Sequence, residues 1–461
     1  MDPRTLNYIA DACGGELLRG IGSGLARHIC TDSRRVRPGD IFLAIAGPAM
    51  DGHTFLAEAS AKGASAVIIA KSRDSAAAGS AAVIAVEDTR HAYGRLAARY
   101  RQDFALPVVA VGGSNGKTTT KELIAAVLRE KFKTLASLAS FNNDIGVPAT
   151  LLQLESSHTA AVFEVGTNHP GELAPLVAMI RPRLGVVTSL GREHLEFFGD
   201  LDGVAREEGA LAELLPPDGT LFVHGDNPGM DAITARAKCR VVRAGFDARN
   251  DWRAENVRLE EGGTVFAVKS AQAGFNGDWR FGLHGRHQVI NALFAIAIGA
   301  ELGVTAAQAR HALEHCAPLN MRLETWKAGD ITVLDDSYNA NADSMLAALR
   351  TLREMPCAGR RVAVLGDMAE LGAHSAAAHA EVGRGAAELG VRVLFTTGKW
   401  AAVMAEAAKS AGLKNVFVFE NVPDAAQAVR AEVKPGDRVL LKASRATRLE
   451  RVSAVLKADR D

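Results

Sequence analysis

Short apolar runs separated by turn residues recur along the chain, and between them apolar residues return at helical spacing. Ile41 to Ile45, Ala66 to Ala70 and Val83 to Val86 have the continuous, β-branched character of buried strands. The Ala/Ser/Gly stretch 75–82 reads as a loop between the last two. A helix over 90–101 leads into a further strand, Pro107 to Val111, after which Leu123, Ile124, Val127 and Leu128 keep a helical period. The alternation continues through Ala160 to Val165, Leu184 to Thr188, Leu221 to Val223 and Val241 to Ala244. Residues 252–285, with alternating apolar positions and many glycines, predict a small antiparallel excursion, and a helix over Val289 to Leu302 follows. A third series begins near Pro318. It runs through Ile331 to Leu334, a helix marked by Met345, Leu349 and Leu352, and strands at Val362 to Leu365, Val393 to Phe395, Val416 to Phe419 and Val439 to Leu441. Strands alternating with helices predict mostly parallel sheets covered on both faces. The expected class is α/β in three domains: a small α/β unit over 1–87, a central domain with a mostly parallel sheet over 88–317, and a Rossmann-like domain over 318–461.

One junction carries a denser signal than the rest. In PVVAVGGSNGKTTTKE at 107–122, an apolar strand runs into Gly112, Gly113 and Gly116, then into Lys117 and Thr118 at the start of a helix. Glycines let backbone N–H groups converge on an anion, and the helix N-terminus adds its positive end. The lysine supplies a mobile charge, and the neighbouring hydroxyl suits Mg²⁺. Gly113, Ser114, Asn115, Gly116, Lys117, Thr118 and Thr119 are therefore the expected contacts of a nucleoside triphosphate. Val111 stands where the strict GxxxxGK[ST] pattern has its first glycine, so this is a shortened variant, and it makes the central unit a P-loop domain.

Composition narrows the setting. A length of 461 residues suits about two to four domains. Lys plus Arg and Asp plus Glu are 53 each, which argues against a nucleic-acid or anionic-membrane partner. Five dispersed cysteines with no C-x-x-C pair fit reduced thiols better than a disulfide framework. The N-terminal MDPRTLNYIADACGG lacks the pattern of a signal peptide, and the apolar stretch from Ala292 to Val304 is broken by Glu301 and too short to span a bilayer. A soluble cytoplasmic protein without membrane insertion is expected.

In parallel sheets ligands bind beyond the carboxyl ends of the strands. Glu164, His169, Arg192, Glu193 and His194 all lie at or just after such ends. Thr118 and Glu164 meet the preference of Mg²⁺ for oxygen, although a strand-end glutamate serves equally in an ion pair. A lone histidine such as His194 is more often a structural hydrogen-bonder than a ligand. Asn291 reads as a helix amide, and Asp336 suits either a ribose hydroxyl or the cap of the next turn. In the N-terminal unit, CTDSRRVRPGDIF clusters Arg34, Arg35 and Arg37, and GPAMDGHTF at 47–55 carries Asp51 and His53. On composition alone these are solvated loops.

Taken together, these segments resemble the Mur ligase family, the ATP-dependent amide-forming enzymes of peptidoglycan precursor synthesis, nearly from end to end. GGSNGKTTTKE is similar to that family's phosphate loop and SFNNDIGVPATLL at 140–152 to the segment after it. FEVGTNHPGE and HLEFFG imply metal-linked roles for Glu164 and His194. GRHQVINALFA implies an adenine-side amide at Asn291, RLE a phosphate contact at Arg322, and DDSYNANADSM a ribose contact at Asp336. The resemblance implies ATP and Mg²⁺, with Thr118, Glu164 and His194 as the metal set and Lys117, Glu164, His194 and Glu208 as the catalytic group. DSRRVRPGDIF and DGHTF look like the family's UDP-sugar domain, which makes Ser33, Arg34 and His53 candidate substrate contacts.

DDSYNANADSM, LGDMAELG with His379 following, and LKASRATRLE look like the branch that adds D-alanyl-D-alanine to UDP-N-acetylmuramoyl-tripeptide; a monomer is the expected state, although no sequence feature sets it. The sibling that adds the third amino acid carries Asp-Asn-Pro-Arg in its last domain. Here the similar tetrapeptide is Asp226 to Gly229, in the middle domain and without the arginine. A sister ligase, a folate-tail glutamate ligase, and an ATP-hydrolysing switch protein without ligase chemistry remain the other readings. Three positions depart from the family's pattern: Gln288 for asparagine, Met321 for glycine, and Glu208 for a lysine that relatives convert to a carbamate. A glutamate offers the same charge on an arm about three atoms shorter, so a water would bridge it to the metal.

Overall fold

The computed structural model describes residues 1–47, 50–317 and 319–458. Pro318, the expected start of the third unit, and Pro48 and Ala49 of the 47–55 loop lie outside the described residues.

Among the described residues, three main sheets carry the fold. The first has five strands in the order Glu16–Arg19, Ala82–Val86, Ala66–Ala70, Ile41–Leu43 and Ile29–Cys30, all parallel except the Glu16–Arg19 edge. The second has nine. Its parallel part runs Thr134–Ala136, Ala160–Glu164, Val108–Gly112, Leu184–Val187, Thr220–His224, Arg240–Gly245 and Trp252–Glu260. The expected antiparallel excursion is present, but it is not a separate appendage. Trp252–Glu260, Gly263–Ser270 and Gly277–Phe281 extend the central sheet by antiparallel pairing. The third sheet has six strands, with Arg361–Leu365, Val393–Thr397, Asn415–Phe419 and Arg438–Lys442 parallel to Ile331–Asp335 and Glu324–Ala328 antiparallel at the edge.

The strand Val108–Gly112 is buried throughout and lies between Ala160–Glu164 and Leu184–Val187. That position brings the phosphate loop, Glu164 and the 188–194 segment to one edge of the sheet, at the strands' carboxyl ends.

Two junctions connect the sheets. The helix Thr89–Arg101 buries Tyr93, Leu96, Ala97 and Tyr100 in a single apolar cluster with Leu6, Ile9 and Ala10 on one side and Leu151, Leu173 and Leu176 on the other. The Tyr100 hydroxyl donates to the Leu154 carbonyl at 2.7 Å and accepts from the Asp2 amide at 2.7 Å. The C-terminal unit instead has its own clusters, around Met345, Leu349 and Leu365 on one face of its sheet and around Val364, Val439 and Val452 on the other. The chain enters it through Met321 and Leu323, both at positive φ (57° and 52°). A glycine accepts that conformation without penalty, which explains why glycine suits position 321.

Candidate active site

The phosphate loop is held from behind and from one side. Gly113 has φ +104°, and a Cβ there would fall 2.5 Å from the Thr188 hydroxyl, so only glycine fits. The Ser114 amide donates to the Ser189 carbonyl (2.8 Å), the Asn115 amide to the Ser189 hydroxyl (2.9 Å), and the Gly191 amide to the Ser114 hydroxyl (2.9 Å). The helix Lys117–Arg129 then begins, and the amides of its first turn face the cavity as an anion site.

Lys117 Nζ donates to the carbonyls of Gly113 (2.5 Å) and Ser114 (3.3 Å) and lies 3.3 Å from a Glu193 carboxylate oxygen. Burial alone would lower this ammonium, but the neighbouring carboxylates, Glu193 first, more than offset that and raise it. The charge is therefore firmly held.

Ser114 to Thr119, Glu164, Glu193, His194, Asn291, Arg322 and Asp336 line one cavity of about 790 Å³. Residues read from distant motifs thus meet. Asn291 packs against Gly116; it accepts from the Thr120 hydroxyl (3.0 Å) and donates to Gln288 (2.8 Å). Arg322 lies over the Tyr338 ring with its guanidinium carbon 4.1 Å from the centroid. Asp336 accepts from the Leu323 amide (3.2 Å) and from the buried Lys442 ammonium (2.6 Å).

Other candidates are placed elsewhere. Glu208 is fully buried behind the loop, where one carboxylate oxygen accepts the Gly113 amide at 2.6 Å. Burial, the Glu193 charge and the neighbouring Glu207 push it up to about 8, against the pull of Lys117 and the Gly113 amide. It braces the loop and is not part of the cavity wall. Ser33, Arg34 and His53 belong to the N-terminal unit. The Ser33 hydroxyl donates to Glu58 (2.9 Å), and Arg34 is exposed and pairs with Asp32. His53 accepts the Ala70 amide on Nε2 (3.0 Å), so Nδ1 carries the proton towards Asp51, 2.6 Å away. Both His53 ring nitrogens are engaged within the protein. Asp226 to Gly229 sits far from the C-terminal sheet in sequence and braces the 188–194 segment, the Asn227 side-chain amide donating to the Leu190 carbonyl at 3.1 Å.

Among the described residues, no three His, Cys, Asp or Glu side chains are grouped to hold a metal by themselves. Mg²⁺ does not require such a cage, because substrate phosphates and water complete its octahedron. Glu164 Oε2 and Glu193 Oε1 are buried oxygens without a hydrogen-bond partner, and both residues line the cavity with Thr118. That oxygen donor set fits Mg²⁺. The second Glu164 oxygen accepts from Asn142 (2.8 Å). His194 places Nδ1 at 2.6 Å from Glu370, whose carboxyl it holds below the usual range, so only Nε2 remains for a ligand.

Sequence reasoning named Glu193 as a strand-end residue but gave it no role, and it passed over Lys442 and Tyr338. The signals were there: Glu193 adjoins His194, Lys442 lies in LKASRATRLE, and Tyr338 in DDSYNANADSM.

Residues 26–101, 111–299 and 321–445 match the Mur ligase family catalytic domain, the Mur ligase middle domain and the Mur ligase glutamate ligase domain in turn. Over 398 residues, 86% of each chain, the sequence is 39% identical to UDP-N-acetylmuramoyl-tripeptide--D-alanyl-D-alanine ligase of Escherichia coli (strain K12). The fold superposes on a crystal structure of MurF from Acinetobacter baumannii with a TM-score of 0.91 and 31% identity over 99% of both chains. For the MurF ligase of Thermotoga maritima in complex with ADP the TM-score is 0.83 and the identity 25%, over 94% of this chain and 98% of that one. With its phosphate loop, strand-end glutamates and returning C-terminal arginine gathered in one cavity, the chain belongs to the Mur ligase family.

Proposed function

We propose that this chain joins D-alanyl-D-alanine to UDP-N-acetylmuramoyl-tripeptide, converting ATP to ADP and phosphate and yielding UDP-N-acetylmuramoyl-pentapeptide for peptidoglycan. The observation that carries this reading is the single cavity walled by the phosphate loop, Glu164 and His194 on one side and by Arg322 and Asp336 on the other. The similarity to the Escherichia coli ligase supports the substrate pair, and the ADP complex of the Thermotoga protein supports the nucleotide.

A carboxylate and an ammonium do not condense in water, so the carboxylate must gain a leaving group. The tripeptide carboxylate attacks the γ-phosphorus of ATP, ADP leaves, and an acyl phosphate forms. The dipeptide amine adds to the acyl carbon, loses a proton, and expels phosphate as the tetrahedral intermediate collapses. Lys117 and the first-turn amides hold the phosphates and offset charge on the transferred group. Thr118, Glu164 and Glu193, with His194 through Nε2, are the residues that would hold Mg²⁺, which when bound neutralises phosphate charge. Asn291, Arg322 and Asp336 orient the nucleotide.

Residues 1–87 then serve as the UDP-sugar domain, 88–317 as the ATP domain and 318–461 as the domain that receives the dipeptide. A second cavity of about 670 Å³ lies at the carboxyl ends of the C-terminal strands and shares Ala369, Glu370 and Leu371 with the first. The exposed Arg448 and Arg451 on its wall suit the dipeptide carboxylate, with the amine directed past Glu370. One chain supplies every wall, which fits a monomer, and five free cysteines fit the cytoplasm.

The test is mass spectrometry of products from UDP-N-acetylmuramoyl-tripeptide, D-alanyl-D-alanine, ATP and Mg²⁺. One pentapeptide per ADP is expected. ADP without amide, or amide only with another amine, overturns the reading.

A further inference from the structure

Four consecutive residues, Gly191 to His194, make contacts that reach alternately towards the phosphate loop and the C-terminal unit. The Gly191 amide donates to the Ser114 hydroxyl at 2.9 Å. The Arg192 amide donates to Asp343 at 2.7 Å. Its guanidinium donates to the same carboxylate at 3.0 and 2.7 Å and to both oxygens of Glu381 at 2.6 and 3.1 Å. Glu193 faces Lys117, and His194 faces Glu370.

Arg192 therefore grips two helices of the C-terminal unit, Ala342–Glu354 through Asp343 and Ser375–Glu388 through Glu381. The approach is close as well. A Cβ at Gly191 would stand 2.9 Å from the Asp343 carboxylate and 3.2 Å from the Asn115 amide, and Asn115 itself accepts from Asn341 at 2.9 Å. Planar, forked pairing of this kind fixes orientation as well as distance.

From this geometry we infer that Arg192 is the positioning residue that latches the C-terminal unit over the phosphate loop and keeps water from the activated carboxylate. The inference rests on the ligase reading above. While the latch holds, the dipeptide amine is the nucleophile with access to the acyl carbon. When it opens, water takes the same position: its oxygen bonds to the acyl carbon, the bond to phosphate breaks, and carboxylate and phosphate leave with no amide made. Loss of Arg192 then appears as a leak, not as simple loss of turnover. A residue that served only stability would lower ADP and amide together.

The experiment measures amide formed per ADP in the full-length protein with saturating substrates, for the parent, Arg192→Ala, Asp343→Asn, and the exchanged pair Arg192→Asp with Asp343→Arg. The parent should give one amide per ADP. The two single variants should give clearly less than one amide per ADP, with the leak growing about tenfold, the low end of the coupling that close interfacial charge pairs provide. The exchanged pair should recover part of the coupling, because it restores the pair between positions 192 and 343 but not the one with Glu381. Asp343→Asn preserves shape, so it reports on the latch even where Arg192→Ala melts early. Single variants that keep one amide per ADP, or an exchanged pair no better than either single variant, overturn the inference. A parent that makes no amide overturns the ligase reading instead.

Discussion

The two junctions of this chain are built from opposite materials. Between the N-terminal and middle parts, Leu96, Ala97 and Tyr100 belong to one apolar cluster that continues into both sides. Between the middle and C-terminal parts Leu259 packs against the C-terminal core, but the contacts around the cavity are polar: Asn115 with Asn341, Arg192 with Asp343 and Glu381, Ser140 with Tyr338, His194 with Glu370. Apolar burial loses its free energy only when the surfaces separate into water, so the first junction is fixed. Half-exposed ion pairs exchange for water and salt at little cost, so the second is the junction expected to open. The phosphate loop lies on the side of the apolar junction, and Arg322 and Asp336 belong to the C-terminal unit. The comparison teaches where the chemistry keeps its precision and where it gains its gating.

The strongest way to break this contrast is at the apolar junction. Leu96→Ala should cost about 2–5 kcal/mol of stability, read by denaturant unfolding, because it opens a cavity shared by both parts. The loss should appear in one transition covering the N-terminal and middle parts; a change confined to the C-terminal transition would refute the shared core.

Next in size is Glu208, which belongs to the fixed half. Its carboxyl keeps a proton in the folded protein up to about pH 8 but in the unfolded chain only to about 4.5. The folded state binds more protons between those values, so stability falls as pH rises from 4.5 to 8. Glu208→Gln removes this dependence. In metal chelator, its Tm relative to the parent should rise by on the order of 5 °C between pH 5 and pH 8; a pH-independent difference would contradict the buried, raised carboxyl.

Salt should separate the junctions. Raising ionic strength from about 0.05 M to about 0.5 M shortens the screening length severalfold. Small-angle scattering of the protein with nucleotide should then show expansion from the C-terminal unit, while N-terminal unfolding is unaffected. No change in dimensions would mean that the second junction is not held by charge.

The smallest effect lies in the connection itself. Met321→Gly relieves a φ of 57° and should recover about 1 kcal/mol of backbone strain, seen as a small rise in the midpoint of the C-terminal transition. A fall would mean that the methionine side chain contributes more than its backbone costs.

The sequence made the central strands legible because strands buried on both faces are continuous apolar runs; Ala66–Ala70, Arg361–Leu365 and Ala160–Glu164 lie where the pattern put them, to within a residue. Glu16–Arg19, Thr134–Ala136 and Glu324–Ala328 did not stand out, since edge strands carry polar, half-exposed residues. The phosphate loop was readable because all its parts are local. Arg192, Asp343 and Glu381 were not, because ordinary-looking charges separated by 151 and 189 residues give no sign of meeting. The partners of His53, Asp51 and the Ala70 amide, were likewise not legible, since one of them comes from a strand 17 residues away.

The most direct test follows the carboxylate oxygen. With the acceptor carboxylate of the tripeptide labelled with ¹⁸O at both oxygens, the account predicts one ¹⁸O in each phosphate released and one left in each amide. Unlabelled phosphate, or label carried into AMP, would contradict activation by the γ-phosphate in the cavity described.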